Sequence, residues 1–141
     1  MKDAAAPITA AVSAALDACE AAEPRLRAFV ELPRELAAAE AARLDALAAA
    51  GASLGPLHGV PFCVKDIIDV AGLPTRNGSA TRADAAPEPR DATVVAKLRA
   101  AGAIPAAKVH TVEHAFGGWG TNAHTGAPRN PWKPEEPHTP G

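Results

Sequence analysis

A chain of 141 residues is long enough for one domain and too short for two comfortable ones. Its 14 Lys and Arg against 16 Asp and Glu leave a net charge of −2, so no footprint for nucleic acid or an acidic membrane surface stands out; a small neutral substrate fits better. Hydrophobic residues reach 48%, much of it alanine, and aromatics only 4%, which makes for a thin core. The N-terminus lacks a basic segment followed by an apolar run, and no stretch of about 18 apolar residues occurs, so the expectation is a cytoplasmic protein without a membrane span. Cys19 and Cys63 have neither CxxC nor metal spacing and read as reduced thiols.

Ile8, Val12, Leu16 and Cys19 recur at helical spacing behind Pro7 and predict a helix ending near Pro24. Leu36, Ala39, Leu44 and Leu47 predict a second, alanine-rich helix over 34–50, stopped by Gly51; a flexible arm is the alternative, which alanine's helix propensity disfavours. Val60 to Ile68 is rich in Val, Ile and Phe between Gly/Pro clusters and reads as a strand at least partly covered on both faces. Turn signals fill Gly72 to Pro89. Asp91 then predicts an N-cap, with Val94, Val95, Leu98 and Ala101 on one helix face and Gly102 as the stop. Ala103 to Val109 reads as a further strand. Strand, helix, strand in that order predicts a parallel pair joined by a crossover, hence an α/β fold. Beyond about Phe116 the chain is rich in Gly, Asn and Pro, with no repeat.

The stretch Gly55-Pro56-Leu57-His58-Gly59-Val60-Pro61-Phe62-Cys63-Val64-Lys65-Asp66 plants a lysine inside an apolar, strand-like run. Taking an ammonium out of water is costly, so such a lysine either finds a counter-charge or loses its proton, and a neutral lysine is a competent general base. Strand alternation places Cys63, Lys65 and Ile67 on one face and Phe62, Val64 and Asp66 on the other, so Asp66 is not the automatic partner of Lys65. Lys65 is therefore expected among apolar atoms, although a lysine near a strand end is more often solvated or salt-bridged.

Together with Asp69-Val70-Ala71-Gly72-Leu73-Pro74-Thr75 and Gly78-Ser79, this stretch resembles the opening of the amidase signature family, enzymes that hydrolyse amides with a Ser-Ser-Lys triad. A second block carries the resemblance on: Asp91-Ala92, Leu98 to Ala103, Lys108, Glu113, Gly117, Gly126 and Asn130-Pro131-Trp132. Departures are Ala107-Lys108, where the family has Gly-Lys, and His114, where it has an aromatic residue. The resemblance implies an N-terminal portion of the amidase signature fold, a mixed sheet covered by helices, with packing helices in 1–52 and the start of the catalytic core in 53–141. It implies that Lys65 accepts a proton from a serine in cis conformation, which activates a nucleophilic serine. It marks Phe116, Gly117 and Gly118 as substrate-lining residues, an ordinary turn being the alternative. No cofactor and no metal are implied. The implied partners are a small-molecule amide substrate and either a second copy of the chain or the other components of a tRNA-dependent amidotransferase, whose glutaminase component shares the fold.

Only Ser13, Ser53 and Ser79 are present, in a helix, a pre-strand loop and a turn; none lies in a Gly-x-Ser-x-Gly or Ser-x-x-Lys setting. The expectation is that the chain holds the base but not the serines it serves, and is inactive alone, with a non-catalytic remnant as a further reading. A rival pattern is His110-Thr111-Val112-Glu113-His114, the H-x-x-E-H of inverted zinc peptidases. It requires a helix over 110–114 and a further acidic ligand downstream, where only Glu135 and Glu136 follow.

Overall fold

The two alanine-rich segments contain little that competes with helix formation, and both are helical in the computed structural model, which describes residues 6–135: α1 spans Ile8–Leu26 and α2 spans Arg34–Ala49. Pro7 offers α1 no side-chain cap. The first amides are satisfied instead from α2, where the Asp45 carboxylate accepts from Ile8 N at 2.7 Å and Thr9 N at 3.0 Å. At the other end Arg27 turns left-handed (φ 50°), and Glu23 Oε2 accepts from Ala28 N and Phe29 N, both at 2.9 Å. These contacts redirect the chain into a three-residue strand, β1 (Phe29–Glu31), that the sequence patterns did not announce.

After α2 come β2 (Pro61–Lys65), α3 (Thr93–Ala100) and β3 (Ile104–Val109). The sheet order is β1-β3-β2, with β2 parallel to β3 and β1 antiparallel to it, so the α/β expectation and the crossover pair both hold. Two expectations are corrected. β2 is covered on one face rather than both, since Val64 is buried while Pro61 and Cys63 are exposed. Asp91 does not cap α3: Ala92 stands at that position, and Asp91 accepts from Ala71 N at 2.7 Å and pairs with Arg99 at 3.2 Å.

Two apolar clusters hold these elements. Val12, Leu16, Ala37, Ala41, Leu44, Ile104 and Ala106 pack α1 and α2 on one side of the sheet; Val64, Val70, Leu73 and Val95 pack α3 and the 70–73 segment on the other. The β2–β3 pairing is irregular between them: Phe62 pairs with Pro105, but Cys63 pairs with Ala107, so Ala106 is an extra residue in β3. Such a bulge shifts the alternation of the strand beyond it. Ile104 and Ala106 point toward the helices, and plain alternation would send Lys108 the same way. The bulge puts Lys108 opposite Val64 instead, on the side of Asp66.

Candidate active site

Lys65 closes β2, paired with Val109 of β3. It is half-buried rather than enclosed, and its Nζ has no hydrogen-bond or ion-pair partner among the described residues. The expectation of a lysine surrounded by apolar atoms is thus corrected, for the face shared by Cys63, Lys65 and Ile67 is the open one. His110, just beyond β3, lies close enough to respond to this charge. Burial pushes its imidazole pKa down and the Lys65 ammonium adds to the depression, while the Gly120 carbonyl, 2.8 Å from Nε2, opposes it. A carbonyl only accepts, so Nε2 carries the proton.

The enclosed lysine is Lys108, 1% exposed. Its ammonium donates to Ile68 O at 2.8 Å and Thr75 Oγ1 at 3.2 Å and forms an ion pair with Asp66 Oδ1 at 3.2 Å. Asp66, also 1% exposed, is fixed through its backbone as well: its N–H donates to Val109 O and its carbonyl accepts from Asn77 N, both at 2.9 Å. Asp66 Oδ2 has no hydrogen-bond partner among the described residues, and Asp66 lines a cavity of about 290 Å³ with Val30, Arg76, Ser79, Thr111 and His124. Sequence reasoning passed over this pair. A lysine in an apolar strand was visible, as at Lys65, but its burial on the Asp66 side follows from the bulge at Ala106.

A second network secures the loops beyond β3. Ser79 Oγ donates to Glu113 Oε1 at 2.6 Å, and His124 Nε2 stands 3.5 Å from the same oxygen. The Ser79 hydroxyl, with the His124 and His114 charges behind it, holds the Glu113 carboxyl below its ordinary value against a smaller opposing effect of burial. Asn122 Nδ2 donates to Gly78 O at 2.7 Å and Thr111 O at 3.0 Å, and its Oδ1 accepts from His124 N and Thr125 N. Of the three serines, Ser13 and Ser53 are exposed and Ser79 is committed to Glu113. None bonds to Lys65.

The segment of the zinc pattern is not an α-helix. His110 follows β3 directly, whereas His114 lies in a 3₁₀ turn (Glu113–Ala115) with φ 50° and is exposed. Glu136 lies outside the described residues, and no cluster of three His, Cys, Asp or Glu side chains occurs among those described. Phe116, Gly117 and Gly118 are all exposed, Phe116 at 93%. No helix among the described residues is long and apolar enough to cross a membrane.

Comparison with known proteins gives this arrangement its class. Residues 10–141 match the Amidase family, and the chain belongs to it. It is 47% identical over 121 residues to 2-amino-5-chloromuconic acid deaminase of Comamonas testosteroni, a match that covers 84% of this chain and 26% of that protein. It is 41% identical over 124 residues to a glutamyl-tRNA(Gln) amidotransferase subunit of Heliobacterium modesticaldum, covering 88% of this chain and 25% of that one. Among solved structures, native peptide amidase from Stenotrophomonas maltophilia superimposes with a TM-score of 0.79 at 34% identity, over 90% of this chain and 27% of that enzyme. The chain thus spans about a quarter of the length of the relatives it matches.

Proposed function

We propose that this chain supplies Lys65 as the general base for hydrolysis of a carboxamide to acid and amine. The observation that carries the reading is the contrast between the two lysines at the end of the parallel pair. Lys108 is committed to two hydrogen bonds and a buried ion pair, whereas Lys65 stands half-buried with its amine uncommitted. An amine acting as base must be free to lose and regain a proton, and of these two lysines Lys65 has that freedom. In the full-length enzyme its neutral form takes a proton from a serine, which in turn takes one from the nucleophilic serine. The acyl–oxygen bond forms, the carbon–nitrogen bond breaks, and the proton leaves with the amine. Water then cleaves the acyl-serine ester. In this reading Phe116, Gly117 and Gly118 line the substrate, and their exposure beyond β3 leaves them available for it.

Residues 1–141 alone are inactive in this reading, because Ser13, Ser53 and Ser79 are all engaged or placed elsewhere. A second reading, as part of the glutaminase component of a tRNA-dependent amidotransferase, is supported by the 41% identity to a glutamyl-tRNA(Gln) amidotransferase subunit; in that reading the amide is that of glutamine and partner chains receive the ammonia. The test of the first reading is turnover of simple amides by the full-length Lys65→Ala variant: loss of most activity in a folded protein is expected, and near-normal turnover would end the assignment. Ammonia release from glutamine that rises only when the partner chains are added would select the second reading.

A further inference from the structure

We propose that Lys108 is a positioning residue for Lys65, its buried ion pair with Asp66 clamping the strand end that carries the base. The inference rests on Lys65 being that base. Lys65 is the last residue of β2, so the backbone beyond it is free to move unless something holds residue 66. Asp66 is held four ways, through its backbone by the Val109 carbonyl and the Asn77 amide, and through its carboxylate by the Lys108 ammonium and, at 3.4 Å, the Arg76 amide. The same ammonium binds Ile68 O and Thr75 Oγ1, so one buried charge gathers the turn that leaves β2 and the segment that returns past it. The placement is built into the strand, because the extra residue Ala106 is what re-aims Lys108 from the helix side of the sheet to the Asp66 side.

A buried ion pair is a poor source of stability relative to apolar packing, so its presence under a half-buried lysine calls for another role. Both charges are removed at little change in volume by combining Asp66→Asn with Lys108→Met. In the full-length enzyme, assayed well below its unfolding temperature with the folded fraction measured, this double variant is expected to keep KM within about twofold and lose roughly tenfold to a hundredfold in kcat, the scale of a misplaced catalytic group. A purely structural pair would lower the unfolding midpoint and leave kcat per folded molecule unchanged, and that result overturns the proposal. Should the double variant not fold, Thr75→Val removes a single acceptor of Lys108 at constant shape. A fall in kcat at unchanged KM supports the clamp, and wild-type kcat overturns it. Lys65→Ala run in parallel separates the two ideas: if it retains turnover the base assignment fails, whereas an inactive Lys65→Ala beside a fully active double variant removes the clamp alone.

Discussion

Lys65 and Lys108 show how little residue type says about role. Both interrupt apolar strands, yet one ends half-buried with an uncommitted amine and the other enclosed, with two hydrogen bonds and an ion pair. Asp66→Ala leaves the Lys108 charge buried without its counter-ion and is expected to destabilise the fold by about 3–5 kcal/mol in denaturant titration. Glu113 gives a pH-dependent prediction. Its carboxyl is held below its ordinary value by Ser79 first, so the stability it contributes is present above the unfolded pKa and is lost as pH falls through the native one. Unfolding free energy should therefore decline from about pH 5 downward, and Ser79→Ala should flatten that decline. An unchanged slope in the variant would show that the hydroxyl is not its source. At this scale strand alternation gave the face that Cys63, Lys65 and Ile67 share, but not that this face is open. The burial of Lys108 was not legible, because it depends on a one-residue bulge that no local pattern marks.

The elements were more legible than the links between them. α1, α2 and α3 were readable from apolar spacing, β2 from a run rich in Val, Ile and Phe between Gly/Pro clusters, and β3 as the largely apolar stretch that follows the Gly102 stop. β1 has three residues, too few to show a period, and exists through Glu23 and its antiparallel pairing to β3. The trans cap of α1 by Asp45 was hidden for a similar reason, being a contact across 37 positions. Leu44, fully buried between α1, α2 and the sheet, is expected to cost about 2–5 kcal/mol on replacement by Ala. Gly78 has φ +61°, and a Cβ there would stand 2.6 Å from both Thr111 O and Asn122 Nδ2. Gly78→Ala should destabilise by more than about 1 kcal/mol, from backbone strain and from breaking the Asn122 junction. A thermal midpoint equal to that of the parent would remove Asn122 and Gly78 as the link between these loops.

Over the whole chain, the features that look unfinished fall on one account. Among the described residues β2 pairs only with β3, the Lys65 face is open, and Phe116, Trp119 and Trp132 are 93%, 68% and 90% exposed. Apolar surface and strand edges of this kind seek cover. Purified 1–141 is therefore expected to self-associate on size-exclusion chromatography and to release no amine from primary amides and anilides; turnover by a monodisperse monomer would contradict this. The family was legible from the Lys65 and Asp91–Trp132 blocks, but the substrate was not, since these residues say little about the acyl and amine pockets. The central claim, that Lys65 acts as a base, is tested most directly by chemical rescue of the full-length Lys65→Ala variant with small primary amines. The account predicts that turnover returns in proportion to the free-base form of the added amine. A variant that is active without amine, or folded yet unresponsive to amines of every size and basicity tried, would contradict it.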